Sequence, residues 1–181
     1  MMFEQLPLPG AFKIVPQPFA DNRGWFSRYF CSREFAAAGL ETAWVQCNHS
    51  LTWLQGSIRG MHYQHSPFGE TKMVRCTTGS IFDVIVDIRK QSETFMQWYG
   101  AELSASNKVM FYIPPGFAHG FQTLTPEAEV QYHMTAFYTP EIEAGIMYND
   151  PAINIQWPVP VTEISERDKN HPLIQSGFKG Y

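Results

Sequence analysis

The sequence predicts an all-β sandwich or barrel with one or two short helices. Strand-length runs rich in β-branched and aromatic residues recur along it, turn signals separate them, and only one stretch is clearly helical. The runs are Ala11–Phe19, Trp25–Phe30, Ala43–Ser50, Lys72–Thr77, Ile81–Arg89, Trp98–Ser104, Val109–Ile113, Gly120–Leu124 and Val130–Tyr138. Turns fall at Asp21-Asn-Arg-Gly24, Thr78-Gly-Ser80, Ser106-Asn107 and Pro114-Pro-Gly116. The helix is capped by Ser32, carries Glu34 in its first turn, propagates through Ala36-Ala-Ala38 and stops at Gly39. A second short helix fits Ser165–Lys169. From about residue 150 the chain is irregular and proline-rich, and reads as an extension packed on the barrel within a single domain 1–181.

Composition narrows the function. Hydrophobic residues make up 44% and charged residues 17%, which favours a packed core over disorder. A formal charge of −4 argues against nucleic acid or an anionic membrane as the main partner. No apolar run has the length of a membrane span, and the first residues lack the basic and apolar pattern of a signal peptide. The three cysteines, Cys31, Cys47 and Cys76, lack metal-site spacing and read as free thiols of a reducing cytoplasm.

Polar residues concentrate in three segments. Arg59, His62 and Gln64 interrupt the strand-like run Ser57–Gln64, with Lys72 opening a later strand. Pro114 and Gly116 present His119 at the start of another. In the third, Tyr132 and His133 must point to opposite faces. Two strand-borne histidine segments suggest a double-stranded β-helix barrel holding one ligand among inward side chains. A metal fits poorly: where metal-loaded cupins carry His-x-His, position 64 is Gln, and His62 and His65, three apart, face opposite sides of a strand. Acid–base chemistry fits better. A hydrogen beside a ketone leaves as a proton to give an enolate, which needs a base, a cation at the oxygen and, for inversion, an acid on the other face. His62 suits the base, Lys72 the cation and Tyr132 the acid. Structural roles compete with each assignment. Asp83, Asp87 and Arg89 read as structural pairs along one strand face, and the tryptophans as core or interface. His65 and His171 read as surface or loop residues.

The ordered motifs Asp21-Asn-Arg-Gly-Trp-Phe26, Gln46-Cys-Asn-His-Ser50, Arg59-Gly-Met-His-Tyr-Gln64, Lys72-Met-Val-Arg75, Phe82–Arg89, Ile113–Phe121, Asn149-Asp-Pro151 and Ile155-Gln-Trp-Pro158 resemble the dTDP-4-dehydrorhamnose 3,5-epimerase family from about Phe12 to Asp168. The resemblance implies a cupin jelly roll without metal or cofactor, a cytoplasmic homodimer exchanging N-terminal strands, and a nucleotide-diphosphate sugar as substrate. It implies catalytic roles for His62, Tyr132, Lys72 and Asp168, the last paired with His62. It implies substrate contacts at Arg23, Arg28, Gln46, Asn48, Arg59, His119, Glu143 and Arg167, and a nucleobase stacked on Tyr138.

Several positions depart from the family pattern. Arg28 stands where Glu is common, Cys47 for Asp, Glu70 for Gln, His133 for Lys and Arg167 for Lys. The acid–base set is intact while the residues that read the ligand differ. The alternatives are therefore a single-centre 3- or 5-epimerase of another nucleotide sugar, such as a CDP-linked one, a keto-isomerase, or a non-catalytic sugar-nucleotide-binding cupin. The poor ligand spacing opposes a metal-dependent oxygenase.

Overall fold

The computed structural model describes residues 1–174, 178, 180 and 181. In chain order the elements are β1 (Met2–Gln5), β2 (Phe12–Val15), β3 (Phe19–Asp21), β4 (Gly24–Phe26), α1 (Ser32–Ala37), β5 (Gln46–Thr52), β6 (Ile58–Gln64), β7 (Lys72–Thr78) and β8 (Ser80–Asp87). There follow β9 (Trp98–Ser104), β10 (Met110–Ile113), β11 (Phe117–Thr123), β12 (Ala128–Met134), a 3-10 turn at Pro140–Ile142, β13 (Glu143–Gly145) and α2 (Glu166–Lys169). Six strands form one sheet in the order β1-β2-β10-β7-β12-β5, five form a second in the order β13-β6-β11-β8-β9, and β3-β4 is a separate hairpin. The two large sheets form a cupin-type jelly roll.

Side-chain alternation explains the layers. On β8, Ile81 and Ile85 enter the core between the sheets with Val74, Phe111, Phe121 and Val130. The alternate residues Val84 and Val86, with Ile88 just beyond, join Met61 and Tyr63 under a cover from the C-terminal segment, including Ile153 and Ile155. Phe35 of α1 and Leu40 cover the outer face of the larger sheet over Ile14, Met73 and Tyr112. The segment after residue 150 is tied down at two points: Gln122 exchanges hydrogen bonds with the Val159 backbone, and Ile164 bridges to Ile58.

Several readings change. The run Ala11–Phe19 is two strands, because Pro16 and Pro18 cannot donate to a ladder. Trp25–Phe30 shortens to β4, and β1 and β13 are strands with too little apolar pattern to be seen in the sequence. Ser32 is the first helical residue rather than the cap; Cys31 takes that position and makes no side-chain bond. Gly39 does end the helix, with φ of +72°. Ser165 caps α2, accepting from the Asp168 N–H at 3.1 Å.

Candidate active site

A cavity of about 1180 Å³ opens between the two large sheets. Gln46 and Asn48 of β5, Arg59 and His62 of β6, Lys72 of β7, His119 of β11 and Tyr132 of β12 line it. Tyr138, Glu143, Arg167 and Asp168 complete the wall, and Trp53 and Leu54 form an exposed apolar rim.

A local irregularity in β6 brings Arg59 and His62 to the same cavity although they are three residues apart. His119 pairs with His62 while Phe121 pairs with Arg59, so β6 spends one more residue than β11 over this stretch. Such a bulge re-aims side chains. Gly60 sits in it with φ of +128°, a conformation glycine tolerates. Its N–H points out of the ladder and donates to Asp168 Oδ2 at 3.1 Å.

Asp168 is almost fully buried and pairs with His62. His62 Nε2 meets its Oδ1 at 2.8 Å. Burial opposes ionisation of this carboxyl, but the His62 bond and charge, the Gly60 N–H and the nearby Arg167 outweigh it. Asp168 is held well below the usual carboxylate range. With Nε2–H given to Asp168, the other ring nitrogen of His62 is the one left to act as base. A second dyad stands beside it: His119 Nε2 is 2.8 Å from Oδ1 of the fully buried Asp83.

On the opposite sheet, Tyr132 points inward and His133 outward, where His133 packs on Trp44 and Tyr29. Lys72 is nearly buried, its Nζ 2.9 Å from Glu70 Oε1. Arg59 is oriented by Thr52 Oγ1 at 2.9 Å and the Leu51 carbonyl at 3.1 Å. At the mouth, Glu143 Oε2 accepts from the Tyr138 hydroxyl and from Arg167 Nη1, both at 2.7 Å. The bond to Glu143 pushes the Tyr138 phenol up. Gln46 accepts from the Tyr138 N–H at 3.1 Å and donates to Asn48 at 3.1 Å.

Arg23 and Arg28 do not join this cavity. Arg23 projects from the β3-β4 hairpin, paired with Asp21 at 2.6 Å, and Arg28 pairs with Glu34 at 2.9 Å. Conversely, Asp83 and His171 were read without a part in the site. Asp83 shares the inward face with Ile81 and Ile85, and a carboxylate there requires a partner. His171 is not a surface residue; its ring lies edge-on to His62, with centroids 5.6 Å apart.

His62, Asp168 and His171 bring three ligand atoms within 4.8 Å of one another. They do not suit a cation as arranged. The 2.8 Å contact is a hydrogen bond within the dyad, and the Arg167 guanidinium lies 3.2 Å from His62 Nε2 and 3.5 Å from Asp168 Oδ1.

A sequence model described as dTDP-4-dehydrorhamnose 3,5-epimerase matches residues 5–176. The chain belongs to this family. A relative of that name from Shigella flexneri is 45% identical over 164 residues, covering 90% of each chain. The crystal structure of the Bacillus anthracis enzyme with TDP and PPi bound superposes with a TM-score of 0.93 at 37% identity, covering 96% of this chain and 99% of that one. The Legionella pneumophila enzyme in complex with dTDP-4-keto-L-rhamnose gives 0.90 at 38% identity, covering 95% and 92%. The chain is thus a carbohydrate epimerase, an isomerase of nucleotide-linked sugars.

Proposed function

We propose that this epimerase inverts C3 and C5 of a dTDP-linked 4-keto-6-deoxyhexose, with His62 removing each proton and Tyr132 returning one from the opposite face. The observation that carries this reading is the placement of His62 and Tyr132 on facing sheets of one cavity, with Lys72 in the same wall. C3 and C5 both flank the C4 ketone, so one ammonium at that oxygen serves both enolates. Asp168 fixes the His62 tautomer and stabilises the imidazolium. A positioned acid or base contributes roughly 10²–10⁴ in rate. Gln46, Asn48, His119, Glu143 and Arg167 contact the substrate in this reading. Arg59 meets the diphosphate bidentately and Tyr138 stacks on the base.

The working unit in this reading is a homodimer with exchanged N-terminal strands, and each chain is one domain from 1 to 181. Arg23 supports the exchange. Its side chain is 90% exposed on a hairpin that also exposes Phe19, Trp25 and Phe26, so it is available to a partner's cavity rather than its own. Arg28 belongs to the same arm. Three free thiols fit a cytoplasmic setting.

Incubation with dTDP-4-keto-6-deoxyglucose in heavy water tests the chemistry. Deuterium should enter at C3 and C5, His62→Ala should abolish exchange at both, and Tyr132→Phe should retain exchange while suppressing inversion. Unchanged turnover in His62→Ala would remove the basis of the mechanism. Deuterium at one carbon only would make the chain a single-centre epimerase.

A further inference from the structure

Behind the dyad lies an imidazole that the mechanism above leaves unused. His171 follows α2, three residues beyond Asp168, and does not line the cavity. Its Nε2 lies 3.6 Å from Asp168 Oδ1, the oxygen that His62 engages at 2.8 Å. A separation of 3.6 Å is not a hydrogen bond. That nitrogen is nevertheless buried and has no partner among the described residues. A buried polar group left unpaired is destabilising, so this nitrogen is a donor in want of an acceptor.

The neighbouring strand is shaped around this ring. Gly145 of β13 is the register partner of His62 on β6. A Cβ built at 145 would clash with Cε1, Nε2 and Cδ2 of the His171 ring. Gly145 is not among the glycines with positive φ, so the backbone does not demand glycine there. The space for the imidazole does.

We propose that His171 is a positioning residue whose Nε2–H becomes a second donor to Asp168 Oδ1 during proton transfer, fixing the carboxylate against His62. The proposal rests on His62 being the base. The charged and titratable groups facing His171 are Asp168 and Arg167 around α2, His62 on β6 and Glu143 on β13. Burial first, and then the charge of His62, push the His171 imidazole down, so it stands neutral with one N–H to give. Arg167 crowds the dyad, with Nη2 3.2 Å from His62 Nε2 and Nε 3.5 Å from Asp168 Oδ1. A nitrogen that donates to Asp168 cannot also accept from Arg167, so those contacts compete. A diphosphate drawn into the cavity pulls the guanidinium away from Asp168. His171 Nε2 then needs to close by only about 0.6 Å to make an ordinary bond. A neutral donor on the carboxylate softens its pull on the imidazolium, so His62 releases its proton as readily as it takes one.

The test is the pH dependence of kcat and kcat/KM for His171→Phe, His171→Gln and Gly145→Ala, with melting temperatures measured alongside. Phe fills the slot without a donor, Gln restores a donor, and Ala at 145 displaces an intact His171. His171→Phe and Gly145→Ala should lose about tenfold in kcat, the worth of one hydrogen bond to a charged group, with KM within about twofold. Their acid limb should move to higher pH, because Asp168 then favours protonated His62 more strongly. His171→Gln should recover both rate and limb. Equal kinetics for Phe and Gln, a wild-type acid limb in all three variants, or rate losses that merely track melting temperature would overturn the proposal. Wild type and His62→Ala, run in parallel, separate this outcome from a failure of the His62 assignment itself.

Discussion

Gly60→Ala couples the fold to the chemistry at one position. A Cβ there would lie 2.6 Å from Gly120 Cα and 2.8 Å from the His119 carbonyl oxygen, both backbone atoms of β11. Ordinary contact begins near 3.4 Å, so β6 and β11 must part by about 0.8 Å. The φ of +128° adds its own penalty for a residue bearing a Cβ. Backbone strain of about 1–3 kcal/mol and overpacking of about 1–3 kcal/mol together give about 4 kcal/mol. For a chain of this size that is about 8–16 °C in melting temperature. The separation acts on the bulge that aims Arg59 and His62 into one cavity and on the N–H that anchors Asp168. A displacement approaching 1 Å at a reacting group costs about 10²-fold in rate. Calorimetry and steady-state turnover read the two effects. A variant melting within about 2 °C of wild type, with kcat within twofold, would refute the reasoning.

Two further outcomes follow from the same geometry. The depressed Asp168 carboxyl contributes stability that is complete above its unfolded value of about 3.9 and is lost as pH falls through its lowered folded value. The melting-temperature gap between wild type and Asp168→Asn should therefore be full near neutrality and narrow below about pH 4; a gap unchanged at pH 3 would contradict this. If the hairpin serves the partner's cavity, mixing Arg23→Ala with His62→Ala chains should restore activity, because one cavity of each mixed dimer is intact. Random assortment gives about a quarter of wild-type activity per subunit, and no recovery would exclude exchange.

The fold was legible wherever alternation was strong. The run Ile81–Arg89 carries buried apolar residues on both faces because both faces of β8 are covered, one by the core and one by the C-terminal segment. β1 and β13 carry no strand signal because Met2–Gln5 is short and largely exposed and Glu143–Gly145 is only three residues long with a single buried glycine, so pairing rather than pattern makes them strands. The site was legible as a set of residues and illegible as geometry. Strand alternation alone separates Arg59 from His62, and the bulge that unites them depends on the close approach of Gly60 to Gly120. The sequence puts His171 at the surface or in a loop; it does lie in a loop, and its burial depends on Gly145, far away in sequence. Arg23 falls in a motif yet outside the chain's own cavity, because the β3-β4 hairpin holds it there beside Asp21, and Arg28 pairs with Glu34 instead.

An acidic chain that takes an anionic sugar nucleotide must place its cations selectively, and this cavity does so in two ways. Lys72 is paired with Glu70 at 2.9 Å and Arg167 with Glu143 at 2.7 Å, so both face the cavity already largely neutralised. Arg59 is held by a hydroxyl and a carbonyl, and makes no ion pair among the described residues. Neutral acceptors fix its direction without cancelling its charge, so its field is available to a diphosphate before any bond is exchanged. In the proposed mechanism Lys72 serves a charge that does not yet exist when substrate arrives. Glu70 fixes the position of its ammonium in the cavity wall, and in that mechanism the pair acts on the ketone oxygen only as the enolate forms. An unpaired Lys72 would attract the diphosphate as strongly as the enolate, and uniform attraction does not raise kcat. In that mechanism the carboxylate beside Lys72 sharpens the distinction between binding and catalysis, with the ground state served by Arg59 and Arg167 and the transition state by Lys72.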